Sequence, residues 1–317
     1  MSKSKPKMNA LFGGKTEGGF LGLPAVSPGG AADADIVIMG APSATPYQSV
    51  GPYCAGAPGA IRSALGWPGA LDHHDFDIHG KILADKVRAV DWGDLTYDDT
   101  DFASNRDLIR GHVALALDSG AIPIILGGDD SIPIPVLQAY ERHGPITVFQ
   151  LDAHIDWRDE VSGERMGLSS NMRRASEMAW VKSIVQVGAR GIGSARPSDY
   201  QDALDWGVNL FPMETIFERG IDQILQAVPE NSPVFITLDI DVMDPATVPS
   251  VIGPAPGGFN YWQAVNLLKN LAHRSRLVGF DLVELMPAND VGARGALVAA
   301  RLVAVMLGLI SRQVAAK

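Results

Sequence analysis

From Asp35 onward, short apolar runs alternate with segments whose apolar residues recur every three to four positions. The runs cover residues 36–39, 87–90, 122–126, 146–151, 184–187, 234–238 and 277–280. Apart from single interruptions such as Arg88 they are continuously apolar, as strands buried on both faces of a parallel sheet are. The helical periods between them predict helices over 106–117, 134–142, 214–228, 261–272 and 293–310. Buried strands alternating with helices predict an α/β fold with a mostly parallel, doubly wound sheet. No internal repeat, Ser/Gly linker or charge run divides the body, so residues 31–317 read as one domain. Residues 1–30 are rich in Gly, Pro and Lys and carry no period. They read as an irregular N-terminal arm, either free or laid on a neighbouring subunit.

In open parallel sheets, ligands collect outside the carboxyl ends of the strands. The residues after the runs are therefore the informative ones. They include Asp91 and Asp94, the stretch Gly127-Gly128-Asp129-Asp130-Ser131, then Asp152-Ala153-His154-Ile155-Asp156, Asp239-Ile240-Asp241 and Asp281-Leu282-Val283-Glu284. Surface solvation does not predict carboxylates at most strand ends. Asp152, His154 and Asp156 stand two apart, so in extended backbone they face one side. Asp239 and Asp241 repeat the spacing, and Asp130 adds a carboxylate after the run 122–126. Five carboxylates and one imidazole do not share a site unless something neutralises them. Two divalent cations would. An oxygen-rich set with one imidazole suits Mn, with Ni and Zn as alternatives, and two such metals activate water for hydrolysis.

Composition narrows the classes. The chain has 317 residues, 46% hydrophobic and 20% charged, enough apolar content to exclude disorder as its main state. The net charge of −10 argues against a nucleic-acid partner, which needs a basic footprint. Cys54 is the only cysteine, so an intrachain disulfide and a thiolate zinc site are excluded and a cytoplasmic protein is expected. Lys3, Lys5 and Lys7 are followed by no apolar core of a secretory signal. The longest apolar stretch, 296–310, is broken by Arg301 and reads as too short to span a bilayer, so no membrane partner is expected. Gly127-Gly128 lacks the Lys-Ser/Thr of a phosphate loop, and Ser131, Ser169 and Ser170 show no Ser-His-Asp arrangement.

These segments resemble the ureohydrolase family of arginase, agmatinase and guanidinobutyrase. The family motifs Gly-Gly-Asp-His-Ser, Asp-Ala-His-x-Asp and Ser-x-Asp-x-Asp-x-x-Asp-Pro read here at 127–131, 152–156 and 237–245. Softer matches lie at 40–42, 56–62, 188–190, 257–258 and around Glu284, in the family's order. The resemblance implies a three-layer α/β/α fold (arginase-like), a binuclear Mn or Ni centre, trimers or hexamers, and hydrolysis of a guanidino compound to urea and an amine. By motif position it implies metal ligands Asp130, Asp152, His154, Asp156, Asp239 and Asp241. Asp152 and Asp239 would bridge, and Asp156 and Glu284 are the candidate catalytic residues. Glu284 would face the substrate guanidinium, a planar cation that a carboxylate fork matches.

Two departures stand out. Asp130 replaces the motif's His, so five carboxylates bring −5 against +4 from two divalent cations. Leu168 stands where agmatinase-like members carry a proton-handling His, and leucine transfers no proton. Pro254 further alters a loop that shapes the substrate pocket. The alternative reading is a weakly active or non-catalytic subunit of a hetero-oligomer that supports a paralogue with an intact site. Metformin hydrolase, a nickel-dependent two-subunit ureohydrolase, is similar to that picture.

Overall fold

The computed structural model describes residues 18–30, 33–66, 69–193 and 195–317. In chain order the elements are β1 (Ile36–Ala41), α1 (Ala57–Ala64), β2 (Ala89–Asp94), α2 (Phe102–Asp118), β3 (Ile122–Gly127), α3 (Pro133–Gln138), β4 (Ile146–Leu151), α4 (Asn171–Ser176), β5 (Val181–Val187), α5 (Pro197–Trp206), β6 (Asn209–Phe211), α6 (Met213–Arg219), α7 (Asp222–Gln226), β7 (Pro233–Asp239), α8 (Tyr261–Arg274), β8 (Arg276–Val283) and α9 (Arg294–Ala315). The strands form one eight-stranded sheet in the order β2-β1-β3-β8-β7-β4-β5-β6. Every strand pair in it is parallel.

Successive residues of a strand serve opposite faces, so each strand contributes to two cores. Ile36, Ile38, Ile124, Leu126, Ile236 and Leu238 pack with the apolar sides of α1, α8 and α9. Val37, Met39, Ile125, Val148, Ile184 and Phe235 pack with α2, α3 and α4. The result is the three-layer α/β/α arrangement. Asp101 caps α2 by accepting from the Ser104 N–H, and an Asn260–Gln263 capping box starts α8.

Several elements differ from the sequence expectation. The helix expected over 214–228 is two helices, because Gly220 adopts φ 75° after α6 and breaks the period. The stretch 134–142 is α3 followed by a 3₁₀ turn, Ala139–Arg142. The short α1, α4, α5 and β6 were not anticipated, since six to ten helical residues, or three in a strand, hold too few apolar repeats. The 22-residue α9 is long and apolar enough, by length and composition, to cross a membrane, so the expectation that this segment is too short to span one fails. Its apolar surface is instead mostly buried against the sheet and α8. Of the expected arm, residues 1–17 lie outside the described residues. Phe20 and Leu23 are fully buried, and the Phe20 N–H donates to Asp91 Oδ2 (2.7 Å).

The order of the sheet matters for chemistry. β3, β8, β7 and β4 are consecutive in space, and their carboxyl ends lead into Asp130, Glu284, Asp239 and Asp152.

Candidate metal centre

The centre assembles where these four strands end. After β3, Gly128 lets the chain pass the β1 loop: a Cβ there would collide with the Pro42 carbonyl, and the Gly128 N–H donates to Ala41 O (2.7 Å). Of the two aspartates that follow, Asp129 is spent on structure, accepting from Ser43 Oγ (3.0 Å), the Ala44 N–H (3.1 Å) and the Ser131 N–H (3.2 Å). Asp130 lines the cleft. Asn171 donates to its carbonyl (2.8 Å) and also to its Oδ2.

After β4, the Asp152 Oδ1 accepts from the His154 N–H (2.6 Å), which turns the chain so that the imidazole returns toward the carboxylate. His154 Nδ1 lies 3.0 Å from Asp241 Oδ2 and 3.3 Å from Asp152 Oδ1. After β7, the Asp239 Oδ1 accepts from the Asp241 N–H (2.7 Å), and Asp241 Oδ1 from the Ala153 N–H (3.0 Å). The potential ligand atoms form two groups, Asp152–His154–Asp241 and Asp130–Asp152–Asp239, each with all its atoms within 4.8 Å of one another. Asp152 belongs to both. Asp156 stands outside these two groups but lines the same cleft, of about 190 Å³, with Asp130, His154, Asp239, Asp241, Arg158, Leu168 and Glu284. A larger cavity of about 550 Å³ is lined by His73, His74, Asp75 and Asp77, but Arg301 pairs with both aspartates, and among the described residues their ligand atoms form no such close group. Chemistry, not volume, marks the site.

Glu284 Oε1 accepts from the Asp130 N–H (2.8 Å) and from the Tyr53 hydroxyl. Asp156 and Glu284 both sit at positive φ (48° and 68°), a conformation that non-glycine residues adopt only when their surroundings enforce it. The two candidate catalytic residues are thus the strained ones of the set.

Burial and crowding of like charges dominate the electrostatics of the cluster. Burial, then neighbouring carboxylates, hold Asp130, Asp152 and Asp239 well above the usual carboxylate range. Burial likewise raises Asp156 and pushes Glu284 up to about 8. Burial opposes the charge on His154, yet Asp152 and Asp241 outweigh it and push the imidazole up to about 12. Asp241 alone is held below its ordinary value, because His154 and the Ala153 N–H overcome its burial. Burial thus favours protonated carboxyls, and bound cations would relieve the same charge. Five carboxyl groups and one imidazole gathered in this way fit a pair of divalent metals.

All six residues expected as ligands meet here, and Glu284 with them. Asp91 and Asp94 do not: Arg62 pairs with both at the sheet edge. Sequence reasoning missed Tyr53, Asn171 and Gln150. Gln150 left a signal, a large polar residue inside the apolar run 146–151; Tyr53 and Asn171 left none.

The sequence profile of the arginase family matches residues 34–308. The chain belongs to the arginase family. It is 32% identical to an agmatinase of Sodalis glossinidius over 300 residues, 91% of each chain. It is also 32% identical over 237 residues to a guanidinopropionase of Pseudomonas aeruginosa, covering 73% of this chain and 74% of that one. Among solved structures, proclavaminate amidino hydrolase from Streptomyces clavuligerus superimposes with a TM-score of 0.83 at 29% identity, covering 93% of this chain and 97% of the other. The ureohydrolase resemblance and the α/β/α architecture both hold for this arginase-family chain.

Proposed function

We propose that this chain hydrolyses a guanidino compound to urea and an amine, with two divalent cations, Mn or Ni, held by Asp130, Asp152, His154, Asp156, Asp239 and Asp241. The observation that carries the reading is the pair of ligand groups sharing Asp152, set beside Glu284 in one cleft. When bound, the cations supply charge neutralisation and Lewis acidity. Glu284, braced by Tyr53 and the Asp130 N–H, receives the planar guanidinium. Its carboxyl, pushed up to about 8 by burial, regains its charge beside that cation. Leu168 lines the cleft and moves no proton, so the leaving amine takes its proton from solvent or from another residue. Arg158 also lines the cleft and favours a substrate with an anionic tail over one with a second cation.

The test is urea release by purified protein loaded with Mn²⁺ or Ni²⁺, across guanidino acids and guanidino amines. Urea from at least one guanidino acid is expected, and silence across the panel sinks the reading for the chain alone.

Asp130 and Leu168, in place of two family histidines, motivate a second reading: a weakly active or non-catalytic subunit supporting an active homologue in a mixed trimer or hexamer. Metal content per chain, with and without a co-expressed homologue, separates the two. Two tightly held metals in the lone protein would count against the second.

A further inference from the structure

We propose that Gln150, Gln186 and Trp157 form a hydrogen-bond relay of fixed direction that positions Asp152 and Asp156 for cation binding. This rests on the metal-centre reading above and names residues outside the ligand set.

The relay lies across two neighbouring strands. Gln150 of β4 and Gln186 of β5 are register partners, so their side chains leave the sheet side by side. Both are 1% exposed and Trp157 is 2% exposed, so no solvent satisfies their polar atoms. The Trp157 indole N–H donates to Gln186 Oε1 (2.9 Å). Gln186 Nε2 then donates to Ile155 O (2.8 Å) and to Gln150 Oε1. Gln150 Nε2 spends its two protons on two different carboxylates, Asp152 Oδ2 (2.7 Å) and Asp156 Oδ2 (2.8 Å).

The direction follows from the ends. An indole N–H only donates, so Gln186 must turn its oxygen to Trp157 and its amide N–H groups to Gln150. Gln150 is thereby forced to present donors, never its oxygen, to the two aspartates. Flipping either amide would set like atoms against each other in a buried site. The consequence is geometric. Asp152 belongs to both ligand groups and Asp156 to neither, and one rigid amide fixes the spacing between their Oδ2 atoms. Outer-shell donors of this kind orient metal ligands.

A buried amide pair with a purely structural role makes a different prediction, and variants separate the two. Mn²⁺ titration of metal-stripped protein by calorimetry gives affinity and stoichiometry, and thermal unfolding of the metal-free protein gives stability. Gln150→Met keeps the volume and removes both donors; it should weaken Mn²⁺ binding about 10- to 100-fold. Gln186→Met, one step removed, should weaken it less, and Trp157→Phe only a few-fold, since Gln150 keeps its place. Stability should rank the other way, because Trp157→Phe leaves the largest hole. Affinity losses that rank with the stability losses, or Gln150→Met protein that binds Mn²⁺ like the wild type, overturn the relay while leaving the metal centre standing. Wild-type protein that takes up no Mn²⁺ overturns both. Should Gln150→Met not fold, Trp157→Phe decides: unchanged Mn²⁺ affinity rejects the relay, and a few-fold loss supports it.

Discussion

The two ligand groups share Asp152 but are held together by different means. In the group Asp152–His154–Asp241, an imidazole sits between two carboxyl groups that favour its charged form, so the protein can supply its own positive charge. In the group Asp130–Asp152–Asp239, three buried carboxylates face one another. Around Asp130 the direct donors are neutral: the Asn171 amide reaches its Oδ2 and its carbonyl, while its own N–H serves Glu284. The first group keeps the family's residues. The second is where Asp130 departs from them. A half-site that carries its own cation tolerates the metal-free state, whereas one built from carboxylates alone relies on protons or metal.

The largest test of that contrast strikes both halves at once. Asp152→Asn removes a charge and a donor oxygen from each group. Metal content should fall from two per chain to near zero by elemental analysis. Urea release should fall by more than the roughly 100-fold that loss of an outer-shell partner brings. A variant that keeps one metal would show that the groups do not depend on a shared ligand.

Next in size is the change that erases the difference between the halves. Asp130→His replaces an anionic ligand by a neutral one. A less anionic ligand set makes the cations stronger Lewis acids. Urea release should rise on the order of tenfold, with the pH profile moving toward acid. No change in rate or profile would mean that Asp130 is not what limits this chain.

The same contrast separates what the sequence shows by itself from what only the fold brings together. The four central strands were legible because parallel-sheet strands are buried on both faces and stay apolar, and their carboxylates were legible because charge at the end of such a run has no packing reason. Which of Asp129 and Asp130 faces the cleft was not legible from spacing alone, since it turns on the Ser43 and Ala44 contacts that hold Asp129. Tyr53 and Asn171 reach the site from segments far away in sequence, and nothing local marks them. Helices such as α1 and α5 were missed because eight and ten residues hold too few apolar repeats to show a period.

A smaller effect is the pH dependence of metal-free stability. Burial pushes Glu284 up to about 8 and Asp281 up to about 7, each above the ordinary value of an unfolded carboxyl. The native state therefore holds protons more tightly than the unfolded state. The stability this confers is complete below about pH 4 and is lost as pH rises toward about 8. The candidate ligands Asp130, Asp152, Asp156 and Asp239 are raised by burial too, and divalent cations compete with the protons these hold, so the gain in unfolding temperature on adding Mn²⁺ should grow from pH 5 to pH 8. In Asp130→His the dependence should be shallower, because one carboxylate of the all-anionic group is gone. A metal-induced gain that stays flat with pH would contradict the picture of protons standing in for cations.

The smallest expected effect tests the link between the all-carboxylate half and the substrate. Tyr53 and the backbone N–H of Asp130 both donate to Glu284 Oε1, so the carboxylate meant for the guanidinium is tied to the ligand loop on one side and to Tyr53 on the other. Tyr53→Phe keeps the ring and deletes one donor. An ordinary hydrogen bond contributes about 1 kcal/mol net, which predicts a rise in KM of about fivefold with kcat nearly unchanged. The Asp130 N–H remains, so Glu284 keeps its position but loses its lateral brace. A fall in kcat with KM untouched would instead place Tyr53 in the chemical step, and would mean that Glu284 does more than receive the substrate.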